Sequence, residues 1–399
     1  MFNDEMYRLG SNRSVIRELF EYGKIRAGEM GADKVYDFSL GNPSVPAPPE
    51  VNRTVKELID SLDSTELHGY TSAQGDASVR KTVADSLNAR FKSEGFIPEY
   101  RADNIYMTCG AAAGLAISLK AMCEDGDEFI LLAPYFPEYT VFVRSAGGTP
   151  VTVPFAEDFQ IDLSALENAI TERTKAVIVN SPNNPSGVIY TRETLCRLAE
   201  ILNGYSEKFE RRIFIIADEP YRELAYDNAE VPFIPSIYAD TVLCYSFSKS
   251  LSLPGERIGY LAVNPLSHCA EELYYAIMGA GRALGYVCAP SLFQRVAAKC
   301  IDARPDINAY DENRELLFSA LTEIGFECVH PSGAFYLFVK APGGNSIGFS
   351  ERAQKHGLLI VPADSFAASG YVRIAYCVQR DMILRSLPAF KALYADYTK

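Results

Sequence analysis

From Asn104 onward, short runs of β-branched and aromatic residues alternate with longer stretches of helical pattern, and this alternation limits the fold more than any other feature. Strands are predicted at Asn104–Thr108, Glu128–Ala133, Lys175–Asn180, Arg212–Ala217, Thr241–Tyr245 and Ile258–Val263. Helices are predicted between them at Ala111–Met122, Glu138–Ala146 and Arg192–Tyr205. The strand segments are apolar almost throughout, not every second residue, so both faces of their sheet must be covered. That makes the chain α/β, with a mostly parallel sheet sandwiched by helices.

The 399 residues exceed what one hydrophobic core usually serves. After Pro290 the pattern changes to helices at about 291–301 and 309–324, followed by strand-like Phe335–Val339 and Tyr371–Tyr376. We therefore expect an N-terminal arm (1–40) that joins a small α+β domain (291–399), with a large α/β domain (41–290) between them. The net charge of −13, with no dense basic run, argues against a nucleic-acid or anionic-membrane partner. Nine scattered cysteines without a Cys-x-x-Cys spacing argue against a disulfide framework and suit a reducing cytoplasm. The four histidines are far apart in sequence, so no metal site is expected. Acids near the start do not suit a signal peptide, and no apolar run reaches the ~20 residues that span a bilayer.

Four segments carry chemistry, each just after a predicted strand. Tyr245–Arg257 places Ser246, Ser248, Ser250 and Ser252 around Lys249, with Arg257 eight residues further on. It could be a surface loop, or an amine nucleophile beside a phosphate site. Asp218 follows a wholly apolar strand, with Tyr221 three residues later. It could cap a turn, or hold a heterocyclic nitrogen in its protonated form. Val179–Gly187 is dense in Asn, Pro and Gly. It reads as a turn, in which Asn184 could also bond a phenolate oxygen. Met107–Leu115 offers small residues at a helix start, which serve either close packing or a phosphate cradle; Gly110 and Gly114 alone do not make the dinucleotide fingerprint. In a parallel sheet, ligands bind beyond the carboxyl ends of the strands, so the shared placement of the four favours one site.

With these segments in view, the sequence resembles the class I/II aminotransferases, pyridoxal-phosphate enzymes of fold type I. The resemblance runs from about Leu40 to Tyr376 through L-G-N-P-S, H-G-Y-T-S-A-Q-G, T-C-G-A-A-A-G-L, P-Y-F-P-E-Y, S-P-N-N-P-S-G, A-D-E-P-Y, S-F-S-K-S with R-I-G-Y, and Y-V-R-I-A-Y, in the family's order. It implies that Lys249 is the Schiff-base lysine and proton shuttle, and that Asp218 faces the pyridine nitrogen. It also implies that Asn184 and Tyr221 bond the ring's phenolic oxygen and that Phe136 stacks on the ring. Many relatives use Trp there and this chain has none, so a weaker stack is implied. The phosphate would rest on the backbone of Ala111 and Ala112, with Gly110 shaping the turn and Ser246, Ser248 and Arg257 completing the cradle. Several relatives have a polar side chain where this chain has plain alanine, which leaves that part to backbone donors. Arg373 would bind the substrate α-carboxylate beside Gly41, and Tyr70 would reach the phosphate of a second subunit in a homodimer.

The expected reaction is transfer of an amino group from an L-amino acid to a 2-oxo acid. A carbon–sulfur β-lyase on the same fold uses the same residues and stays open as an alternative. A non-catalytic regulatory protein would carry a DNA-binding segment, for which the forty residues before Gly41 are too few. Aspartate, alanine or aromatic amino acids with 2-oxoglutarate are all compatible substrates, and Arg282 is a weak candidate for a side-chain carboxylate.

Overall fold

The computed structural model describes residues 2–11, 15–92 and 99–398. In chain order the strands are β1 (Tyr36–Asp37), β2 (Ile105–Thr108), β3 (Glu128–Leu132), β4 (Thr149–Val153), β5 (Thr174–Asn180), β6 (Phe214–Asp218) and β7 (Thr241–Ser246). They continue with β8 (Gly259–Val263), β9 (Cys328–Val329), β10 (Tyr336–Lys340), β11 (Leu358–Leu359), β12 (Val361–Pro362) and β13 (Tyr371–Ala375). Seven of them form one sheet in the order β2-β8-β7-β6-β5-β3-β4. Every neighbouring pair in it is parallel except the two made by β8, which runs antiparallel between β2 and β7.

The apolar strands are explained by what covers them. Successive residues enter two different cores, because side chains alternate across a sheet. Ile130, Val177, Ile215 and Leu243 pack with the helices Pro49–Ser61, Ala77–Phe91 and Arg192–Lys208 on one face. Phe129, Ile178, Ile216 and Val242 pack with Gly110–Met122, Glu138–Ala146 and Ala270–Ala283 on the other. Each such fully buried side chain contributes about 1.5–3 kcal/mol relative to an exposed one.

A four-stranded antiparallel sheet, β12-β13-β10-β9, packs with the helices Ile307–Ile324, Ser346–Lys355 and Arg380–Ala395 in a third core. Phe38 joins that core and its carbonyl accepts from the Ala375 N–H at the end of β13, while β1 and β11 form a separate two-stranded parallel sheet, so the segment before Gly41 is tied to that core. The boundary expected at residue 290 does not coincide with the packing. Helix Ser291–Lys299 lies against Pro49–Ser61 and Ala77–Phe91, and Val296, Ala297 and Cys300 belong to the large core. Strand β4 was not anticipated from the sequence. It is an edge strand with Pro150 inside it and only Val153 fully buried, so it lacks the apolar run of the central strands. Among the described residues, no helix is long and apolar enough to cross a membrane.

Candidate active site

The carboxyl ends of β2, β3, β5, β6 and β7 point the same way, and β8 begins at that edge because it runs backwards. The turns that follow these strands converge with β10 and β13 on one cleft of about 290 Å³. Gly41, Ala111, Ala112, Phe136, Asn184, Asp218, Tyr221, Ser246, Ser248, Lys249, Arg257 and Arg373 all line it.

Lys249 sits in the short helix Phe247–Ser250, whose first turn is capped by Ser246 accepting from the Ser248 N–H at 3.2 Å. Its Nζ donates to the Gly41 carbonyl at 2.5 Å. Burial lowers its pKa to about 8, with the thiol of Cys377 opposing and the cations Arg373 and Arg257 adding to the fall. Asp218 ends β6 in a buried position at the wall of the cleft. Burial raises its pKa to about 7, the Tyr139 hydroxyl opposes that rise, and the charge of Glu219 adds to it. Tyr139 donates to Asp218 Oδ2 at 2.5 Å, whereas the buried Oδ1 has no hydrogen-bond partner among the described residues. A buried carboxylate oxygen left open toward a cleft is a position for a cationic N–H.

The loop after β5 is bolted to the strand beside it. Asn180 donates from its amide to the Asp218 carbonyl at 2.8 Å, and its oxygen accepts from the Asn184 N–H at 2.8 Å. The Asn184 oxygen accepts in turn from Arg373 Nη1 at 3.0 Å, and Arg373 Nη2 donates to the Ser39 carbonyl at 2.6 Å. Arg373 Nε is buried without a partner among the described residues. This guanidinium is held from two sides and retains a donor for an incoming anion.

At the far end, helix Gly110–Met122 starts without a side-chain cap among the described residues, unlike Ala77–Phe91, where Asp76 accepts from the first turn. Its first N–H groups are therefore free for an anion. Gly110 is needed there because its φ is +79° and a Cβ would stand 2.9 Å from Arg257 Nη2. Arg257 itself adopts φ +51°, an uncommon conformation for a residue with a side chain, and Nη1 donates to the Pro254 carbonyl at 3.0 Å. Ser246 and Ser248 hydroxyls lie 2.8 Å apart.

Three expected residues fall outside this lining. Gly110 shapes the turn from behind, and Tyr70 is 98% exposed on the surface of this chain. Arg282 is exposed and does not line the cleft. Tyr139, Asn180 and Tyr336 were missed. Tyr139 lies inside the motif P-Y-F-P-E-Y and Asn180 inside the segment Val179–Gly187, but only their neighbours drew a role. Asp227, Glu315 and His330 bring three potential metal ligands together at the surface, yet Arg314 already pairs with both acids.

The sequence profile of the family described as aminotransferase class I and II matches residues 33–389. The chain belongs to that family. It is 31% identical over 365 residues to the aspartate aminotransferase of Bacillus subtilis, covering 86% of this chain and 88% of the relative. The fold superposes on a solved amino transferase from Eubacterium rectale with a TM-score of 0.96 at 56% identity, covering all of both chains. It also superposes on the aspartate aminotransferase of Thermus thermophilus solved with maleate, with a TM-score of 0.82 at 25% identity over 97% of this chain and 98% of the other. The protein is a pyridoxal-phosphate-dependent aminotransferase. The residues of its cleft fit that cofactor, because the open Oδ1 of Asp218 and the uncapped helix start offer an acceptor and donors of the kinds that a pyridinium and a phosphate require.

Proposed function

We propose that this aminotransferase works through Lys249 as the covalent anchor of the cofactor and as the base that moves the substrate proton. The observation carrying the reading is that a lysine with a pKa of about 8 and the unpartnered oxygen of Asp218 line one cleft. When bound, pyridoxal phosphate supplies an electron sink for the carbanion formed at the amino acid's α-carbon.

The chain's own residues divide the remaining work. Asp218 would hold a proton on the ring nitrogen, since an enclosed carboxylate beside a cation favours the charged pair. Asn184 and Tyr221 would bond the phenolic oxygen, and Phe136 would cover the ring face. The phosphate would rest on the N–H groups of Ala111 and Ala112, the hydroxyls of Ser246 and Ser248, and Arg257, with Gly110 keeping the turn open. Arg373 would take the substrate α-carboxylate with its remaining donors, beside the Gly41 N–H. Lys249 is suited to proton transfer because its pKa lies near neutral pH, where both its forms are populated. The Gly41 carbonyl 2.5 Å from Nζ gives that amine a fixed orientation before any ligand arrives.

The working unit in this reading is a homodimer in which the exposed Tyr70 completes the partner's phosphate site. Nine free cysteines suit a reducing cytoplasm. The experiment is Lys249→Ala together with a half-reaction screen. The wild-type holoenzyme mixed with single amino acids should lose its visible absorbance with the preferred donor, which identifies that donor. Lys249→Ala should lose both turnover and the borohydride-trappable cofactor, and normal transamination by it would refute the assignment.

A further inference from the structure

The hydroxyl of Tyr336 lies 3.0 Å from that of Tyr221, both residues buried, with their rings nearly perpendicular at 5.8 Å. The face of the Tyr336 ring lies 4.5 Å from the guanidinium carbon of Arg373. The two residues are diagonal neighbours in the antiparallel pair of β10 and β13, where Tyr336 registers with Ala375 and Phe338 with Arg373. The hydroxyl also fills the space beside Gly41, where any Cβ would overlap it. Gly41 is the residue whose carbonyl holds Lys249. One side chain thus touches Tyr221, Arg373 and the glycine that holds Lys249.

We propose that Tyr336 is a positioning residue that aims the Tyr221 hydroxyl into the cleft and clamps the Arg373 guanidinium against its ring. The inference rests on the roles given above to Tyr221, Lys249 and Arg373. Its logic is a proton count. Two phenols in contact share one hydrogen bond, and only one of them can donate it. If Tyr221 is to donate into the cleft, Tyr336 must be the donor between them, and a hydroxyl that accepts one bond donates a stronger second. Burial raises the pKa of both phenols, so each keeps its proton at neutral pH. The charged and titratable groups facing the pair are Arg373, Asp218 and Cys377. Those facing Lys249 are Cys377, Arg373 and Arg257. A phenylalanine at 336 would keep the ring on Arg373 and lose only the donor.

The test compares four holoenzymes: wild type, Tyr336→Phe, Tyr221→Phe and the double variant. The readouts are the pH midpoint of the resting visible absorbance and the KM for the donor amino acid. Weakening Tyr221 as a donor disfavours negative charge on the oxygen it serves, so Tyr336→Phe should raise the midpoint, by about half a unit to one unit. In the Tyr221→Phe background the same change should add nothing, because its route is gone. Tyr336→Leu, which removes the ring, should raise KM about fivefold or more, while Tyr336→Phe should change it less than about twofold. An unmoved midpoint in Tyr336→Phe, or a shift that adds in full to that of Tyr221→Phe, overturns the inference while the cofactor assignments stand. A wild-type holoenzyme whose absorbance does not titrate overturns those assignments, and the inference with them.

Discussion

Replacing Tyr139 by phenylalanine removes one atom from the site, and the consequence can be worked through Asp218. The hydroxyl donates to Asp218 Oδ2 at 2.5 Å, and no other described group bonds the carboxylate. The ring stays, held edge-on to Phe136 at 5.7 Å, so the packing survives. A buried hydrogen bond to a charged group is worth about 1.5–3 kcal/mol, or about one to two pH units in the pKa of the group it serves. Asp218, already raised to about 7 by burial, should then titrate between about 8 and 9 in the apoenzyme. At about pH 7.5 the ionised fraction would fall from roughly three quarters to roughly one tenth. Only the ionised form meets a pyridinium favourably, so the affinity for pyridoxal phosphate should drop about tenfold near neutral pH. The loss should vanish above about pH 9.5, where the carboxylate is ionised in both proteins. Equilibrium titration of the apoenzymes with the cofactor from about pH 6.5 to 10 measures this directly. A Tyr139→Phe affinity equal to wild type across that range, or weaker by one constant factor at every pH, would refute the reasoning.

Two further outcomes follow from the same geometry. Because the folded pKa of Asp218 lies above its ordinary value of 3.8, the stability it lends is complete below about pH 4 and is lost as pH rises through about 7. Apo Asp218→Asn should lack that decline, end more stable than apo wild type at pH 8 by on the order of 4 kcal/mol, and show it as a flatter plot of melting temperature against pH; identical slopes would contradict the enclosed carboxylate. The exposed Tyr70 predicts a sedimentation mass of two chains and, in Tyr70→Ala, an affinity for pyridoxal phosphate reduced about tenfold. A single-chain mass would remove the shared-site reading.

The central sheet was legible because burial on both faces imposes the same requirement on every residue of a strand. Glu138–Ala146 and Thr241–Ser246 lie within a residue of their expected bounds. Where that requirement lapses, the signal lapses with it. Strand β4 is half-exposed at the sheet edge, and its Thr, Pro and Val residues could equally belong to a loop. The start of β8 was visible as an apolar run, but its reversed direction was not, since direction is set by the chain's return path and leaves no mark on composition.

The site was legible for a related reason: a parallel sheet brings the turns after its strands to one edge, so placing motifs on strand ends is enough to gather them. What that rule cannot supply is which member of one turn touches which member of another. Tyr139 bonds Asp218 across 79 residues, Tyr221 meets Tyr336 across 115, and Arg373 meets Asn184 across 189. Each of these contacts changes the chemistry of a residue the sequence did identify. Tyr139 decides which oxygen of Asp218 stays open, and Asn184 holds Nη1 of Arg373 while its Nε is left without a partner among the described residues. A turn motif therefore specifies the reacting group, while the fold specifies its protonation and direction. The two kinds of residue should also fail differently. If Lys249 has the role proposed above, its loss should end the reaction at every pH, whereas loss of the Tyr139 hydroxyl should move the pH at which the cofactor is held.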